Sequence, residues 1–338
     1  MSGPDTRDER TGWLRRLRSP GDTDSAGIAR DLEWLEGPGR TLLTADDPRY
    51  PVQLAAVPRM PAALFVHGDP ALLARPQVAI VGSRSATAAG CEAAFSFAAR
   101  LAAHGFAVTS GLATGIDAAA HRGALAAGGV TIAVCGTGLD SVYPCTHARL
   151  ADQIAATGAL VSEFPTGTPP VPNNFPRRNR LMSGLSRGVL VVEAAARSGS
   201  LITARLAGEQ GREVMAVPGS IHNPLARGCH RLIKEGAALV ESVDDVLAAL
   251  GASRLESAMD CASEARESAG IPQGKLDSDV EMLLNALGFG PTDLDRLVER
   301  TGMSARSVLS KLQLLELEGR VEILAGGRYS RTTARQDR

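Results

Sequence analysis

The sequence predicts a doubly wound α/β fold with a parallel sheet, followed by a small C-terminal winged helix. Six apolar runs of strand length, each stopped by glycine or another turn residue, alternate with alanine-rich stretches of helical character. The runs are apolar throughout, which is the pattern of strands covered on both faces, and helices between parallel strands supply that cover. The last fifty or so residues read instead as three helices and a hairpin.

Taken in order, residues 1–75 are read as a short helical piece and an extended arm, because prolines recur too often in "DDPRYPVQLAAVPRMPAALFVHGD" for a long helix. Residues 76–250 form the α/β domain. Its strands are "VAIVGSR" (78–84), "FAVTSG" (106–111), "TIAVCGTG" (131–138), "ALVSE" (159–163), "GVLVVEA" (188–194) and "EVMAVPG" (213–219). Residues 251–276 lose all periodicity and read as a polar linker. Residues 277–331 hold the helices "DVEMLLNALGFG", "TDLDRLVERTG" and "SARSVLSKLQLLELEG". The helix-turn-helix turn falls at Gly302 to Ser304, and "RVEILAGGRYSR" turns as a hairpin at Gly326-Gly327.

Composition narrows the function classes. A chain of 338 residues with no apolar run of membrane-spanning length, and no apolar segment after its charged N-terminus, is expected to be soluble and cytoplasmic, without membrane contact. Its 5 cysteines form no C-x-x-C pair and are odd in number, so neither a metal ribbon nor a disulfide framework is expected. The formal net charge is -1, yet Pro170 to Glu235 holds ten basic residues against four acidic ones. Full pairing within that segment is impossible, and an anionic polymer is the partner it suggests.

Ligands of open α/β sheets bind outside the carboxyl ends of the strands, where backbone N–H groups can face phosphates. The candidates there are Gly82, Ser83 and Arg84 after the first of the six runs, Ser110 and Gly111 after the second, and Gly136, Thr137 and Gly138 after the third. Ser198, Gly199 and Ser200 follow the fifth. The stretch "NNFPRRNRLMSGLS" in the connection between the fourth and fifth runs adds Phe175, Arg177, Arg178 and Arg180. Arginine forks hold phosphate oxygens and an exposed ring stacks on bases, so this rim is read as a single-strand interface. A dinucleotide cofactor is disfavoured because "GSRSATAAG" is not G-x-G-x-x-G and no acid ends the second run. Asp117 and His121, one helical turn apart, are read as braces of a helix start rather than an acid/base pair, and no catalytic residue, metal site or cofactor is expected.

The blocks "VAIVGSRSATAAG", "SGLATGIDAAAH", "TIAVCGTGLDSVYP", "FPRRNRLMSGLSRGVLVVEAAARSGSLITARLA" and "AVPGSI" resemble the DNA-processing protein A family (DprA/Smf), in family order from about Val78 to Val243. The resemblance implies an extended Rossmann-like domain that binds single-stranded DNA without sequence preference, forms a homodimer and loads a RecA-type recombinase during natural transformation, with no known catalysis. It carries the DNA contacts onto Arg84, the "SGLA" and "GTG" turns, Phe175 and the "RRNR" arginines. Two departures stand out. Cys145 follows "YP" where some relatives have a lysine, and Pro172 replaces a basic residue three before the phenylalanine.

Two other function classes meet obstacles in the sequence. A nucleotide phosphoribohydrolase of related fold carries a glutamate soon after its glycines, whereas "SGSLITARLAGEQ" has no acid until Glu209. A winged-helix regulator reading duplex DNA meets the balance of Asp277 to Arg331, nine acidic residues against seven basic, which is poor for neutralising phosphates. A protein contact or a weak DNA role is the expectation for that domain.

Overall fold

The computed structural model describes residues 25–251, Leu283, Leu287, 291–324 and 326–331. The chain divides into two compact units, Met1–Cys261 and Ala262–Arg338, each with its own apolar core.

The first unit is built on one nine-stranded sheet. Its strands are β1 (Arg40–Thr44), β2 (Ala63–Gly68), β3 (Gln77–Val81), β4 (Ala107–Ser110), β5 (Thr131–Val134), β6 (Ala159–Ser162), β7 (Gly188–Val191), β8 (Glu213–Ala216) and β9 (Ala238–Leu239), in the order β1-β2-β6-β5-β4-β3-β7-β8-β9. From β6 to β9 every neighbour pair is parallel, while β2 runs antiparallel to β6 and β1 antiparallel to β2. The six apolar runs are therefore the strands β3 to β8. The arm expected before residue 75 is instead a hairpin, Arg40 opposite His67 and Thr44 opposite Ala63, that adds two strands to the sheet. Its second strand "ALFVHG" sits among prolines that mask the strand pattern, and prolines are tolerated where such a segment enters and leaves a sheet.

Helices cover both faces. They are α1 (Ser25–Leu35), α2 (Ala88–Ala103), α3 (Ile116–Ala126), α4 (Ala148–Thr157), α5 (Asn174–Leu185), α6 (Ser200–Glu209), α7 (Arg227–Lys234) and α8 (Val243–Ala249). Alternation along a strand sends successive side chains to opposite faces. Ala79, Val81, Val189 and Val191 accordingly join Leu181, Leu185, Ala204, Ala207 and Cys229 of α5, α6 and α7. Val78, Ile80 and Leu190 join Ala94, Phe97, Ile116 and Val246 of α2, α3 and α8. The strand order reverses between β3 and β7, so the loops leaving these two strands diverge and open a crevice at their carboxyl ends.

In the second unit β10 (Thr292–Asp293) precedes α9 (Leu294–Thr301) and α10 (Ala305–Leu317), and β11 (Val321–Leu324) pairs antiparallel with β12 (Arg328–Arg331). Gly302 ends α9 in the left-handed conformation, φ 67°, at the turn expected between the two helices. Leu283 and Leu287 pack with Leu297, Val308, Leu312, Leu315 and Val321. The remainder of the first expected helix of this unit and nearly all of the expected linker lie outside the described residues.

Candidate nucleic-acid interface

The turn after β3 is held from two sides. Thr87 caps α2 by accepting from the Gly90 N–H at 3.0 Å, and Glu193, just past β7, accepts from the Thr87 N–H (2.9 Å) and hydroxyl (2.7 Å). Asn223 donates to the same carboxylate at 3.3 Å, so Glu193 clamps three loops at the crevice rather than awaiting a metal. From the other side, the Ile116 N–H donates to the Ser83 carbonyl oxygen (3.2 Å) and the Thr114 hydroxyl to that of Arg84 (3.1 Å). Gly82 lies beneath this turn, packed on Ile116.

Arg84 projects from the anchored turn. Its guanidinium carbon lies 5.2 Å from the centroid of the Phe175 ring, and the Tyr143 ring is tilted against Phe175 with centroids 5.7 Å apart. A Cβ on Gly136 would stand 3.0 Å from the Phe175 ring, so this glycine is what lets the ring lie down on the β5 turn. Together with Gly111, Ala113, Thr114 and Pro144 these side chains line a cavity of about 80 Å3. Arg84 forms no ion pair among the described residues. An unneutralised guanidinium held on an aromatic face suits a phosphate beside a stacked base. Tyr143 was not singled out from the sequence; the "YP" inside the "GTGLDSVYP" block was its only signal.

The three arginines behind Phe175 do not act together. They lie on α5, where successive residues turn by about 100°, so Arg177 and Arg180 share a face and Arg178 turns away from it. Arg177 points outward, its guanidinium 5.3 Å from the Phe164 ring centroid and 4.0 Å from Glu163. Arg180 is largely covered and pairs with the same Glu163. Arg178 is 4% exposed: its Nη1 donates to the Val134 carbonyl oxygen at 2.9 Å, and it occupies the space a Gly111 side chain would need. The expectation that Arg177, Arg178 and Arg180 all meet phosphates is thus corrected: Arg177 is exposed beside Glu163, Arg180 is largely covered on the same carboxylate, and Arg178 is buried.

Arg178 serves Asp117 instead. Burial pushes the Asp117 carboxyl above its usual range, opposed by the Arg178 charge and by the Ala113 N–H at 3.3 Å. Burial likewise pulls the Arg178 guanidinium down, and Asp117 holds it up. His121 is not bonded to Asp117. Its Nδ1 is 2.7 Å from the Thr131 hydroxyl, whose proton goes to the Val108 carbonyl oxygen, so Nδ1 donates and Nε2 is left a buried acceptor without a hydrogen-bond partner. Desolvation first, then the Arg178, His147 and Arg122 charges, lower its pKa to about 3.

The remaining candidates divide. Ser110 is fully buried and donates to the Ile80 carbonyl oxygen at 2.6 Å. The Gly138 N–H is taken by the Thr168 carbonyl oxygen at 3.1 Å. Ser83 accepts from the Ser85 N–H and shapes its own turn. Ser198 and Ser200 bond each other across Gly199 at 2.7 Å, at the start of α6, and none of the three lines the Arg84–Phe175 cavity. Of the two departures, Cys145 is exposed and His147 turns inward, its Nδ1 bonding the Leu112 carbonyl oxygen at 2.9 Å. Pro172 is exposed at the approach to α5. No cluster of metal-ligating side chains, and no helix long and apolar enough to cross a membrane, occurs among the described residues.

Residues 41–251 match the family model described as DNA recombination-mediator protein A, and residues 267–327 match the DprA winged helix domain. Protein Smf of Escherichia coli (strain K12) is 46% identical over 304 residues, covering 89% of this chain and 80% of that protein. The X-ray structure of DNA processing protein A from Streptococcus pneumoniae is 44% identical, with TM-score 0.62 over 67% of this chain and 78% of that one. A DNA processing protein A from Helicobacter pylori, described for its single-stranded DNA binding mode, is 28% identical, with TM-score 0.58 over 63% of this chain and 96% of that one. With both units matched by family models in the order the resemblance implied, the chain belongs to the DNA recombination-mediator protein A (DprA/Smf) family.

Proposed function

We propose that the first unit binds single-stranded DNA without sequence preference at the Arg84–Phe175–Tyr143 cavity. The observation that carries this is the free guanidinium of Arg84 lying on the Phe175 ring, beside a second ring. One base stacks on the exposed aromatic surface while Arg84 and Arg177 meet the flanking phosphates, and neither contact distinguishes one base from another. The H. pylori relative's single-strand binding supports the same use of this fold. The chain then acts as a recombination mediator, a cytoplasmic homodimer that passes the strand to a RecA-type recombinase in transformation and recombination. No catalytic step is assigned. Asp117 and His121 each have structural partners that account for them.

The test is fluorescence anisotropy of labelled oligothymidylate with duplex competitor across a salt series. Salt-sensitive binding that duplex displaces poorly supports the reading. Absence of binding at low salt overturns it.

A further inference from the structure

A second concavity lies apart from the cavity just described. Its volume is about 690 Å3, and it runs between α6 and α7 over β8. One end is formed by the loop that contains Ser198 and Gly199, at the carboxyl end of β7 and so on the same side of the sheet as the turn that carries Arg84. The other end is formed by Glu213 and Glu235, at the amino end of β8 and the foot of α7. Between them the groove follows α6, which at 10 residues and about 1.5 Å per residue is about 15 Å long.

The groove is apolar below and cationic at its upper edges. Leu201, Val214 and Leu232, all half-buried, form its floor, and exposed Arg197, Arg205 and Arg231 stand along its walls. Arg205 and Arg231 are held only by exposed carboxylates one helical turn away on their own helices, Glu209 at 3.7 Å and Glu235 at 2.7 Å. Such pairs are weak and screened, and a phosphate can replace the carboxylate at little cost. Arg212 is spent on the Gln53 and Gly184 carbonyl oxygens and contributes no free charge. The lining acids, Glu213 and Glu235, stand at the far end, where Glu235 holds Arg231.

We infer that this groove carries single-stranded DNA onward from the crevice, with Arg197, Arg205 and Arg231 meeting its phosphates and the strand leaving before Glu213. The inference rests on the proposed single-strand reading and extends it. It also gives Ser198 and Gly199, which do not line the Arg84 cavity, a place at the mouth of the second track. A polyanion is favoured over an acidic peptide because the cationic walls begin at the same edge of the sheet, the carboxyl ends of its parallel strands, as the strand's own crevice.

The experiment compares oligothymidylates of about 4 and about 16 nucleotides, the two ends of the usual site-size range, on the full chain. The Arg205→Ala/Arg231→Ala variant is expected to bind the short oligomer as the parent does and the long one about tenfold more weakly, with its salt slope shallower by about 1.4, two single-strand phosphate contacts. Glu235→Gln, which frees Arg231, is expected to strengthen binding of the long oligomer only, a gain that a folding defect cannot mimic. Equal long-oligomer affinity in all three proteins overturns the groove while leaving the Arg84 cavity intact. If Arg84→Ala weakens neither oligomer, the single-strand reading itself fails. A changed solution mass in the double variant, with an unchanged salt slope, identifies the groove as a contact between copies and overturns the inference.

Discussion

At the residue scale, the arginines of "RRNR" show how far charge counting reaches. All three are legible as cations, but which of them faces solvent depends on the 100° step of a helix where the sequence suggests only a loop with Phe175 at its start. Arg84→Ala is expected to make the salt slope of oligothymidylate binding shallower by about 0.7, one single-strand phosphate contact. Phe175→Ala is expected to cost about 1–3 kcal/mol of binding, the worth of one base stack, with the salt slope unchanged. Arg178→Ala is expected to behave differently. It leaves the buried Asp117 carboxyl without the charge that opposes its desolvation and the Val134 carbonyl oxygen without its donor, a loss of about 1–3 kcal/mol of stability. Urea denaturation reads that loss, and a variant of parental stability would show that Asp117 is neutral in the fold. Gly111 and Gly136 were legible as turn glycines, but not as the spaces for Arg178 and Phe175. Local sequence does not say which distant side chain lies over a turn.

At the scale of elements, β3 to β8 were readable because a strand buried on both faces is apolar at every position, and turn residues bound each one. β1 and β2 were not, since their flanks are proline-rich, and β9 at two residues is below any periodic signal. The packing of α3 on β5 carries a pH dependence. The His121 pKa of about 3 lies below its usual 6.5, so its contribution to stability is complete above pH 6.5 and is lost as pH falls from there toward 3. Protonating Nε2 would bury an N–H with no acceptor, among the positive charges of Arg178, His147 and Arg122. The slope within that window approaches about 1.4 kcal/mol per pH unit. The raised Asp117 carboxyl acts in the opposite sense, since burial favours its protonated form. His121→Gln is expected to flatten the pH dependence of the urea midpoint between pH 6.5 and 4. A parental slope in that variant would place the acid sensitivity elsewhere.

At the scale of the whole molecule, the two units differ in what their surfaces offer. The first presents exposed arginines at the crevice, Arg84, and along the α6–α7 groove, Arg197, Arg205 and Arg231. The second exposes Leu309, Leu314 and Leu317 on α10, the helix that a duplex-reading winged helix would place in the major groove, with Arg306 on the same exposed side. Residues 277–331 alone are therefore expected to show no sequence preference in a duplex-selection experiment, and an enriched motif would restore the regulator reading.

Because Arg178 is sealed inside and Arg180 shares Glu163, the crevice offers two exposed guanidinium groups and two rings rather than a deep socket. Each of those contacts can let go separately. On the proposed single-strand reading, a second protein peels the DNA away one nucleotide at a time and never has to break the whole attachment at once.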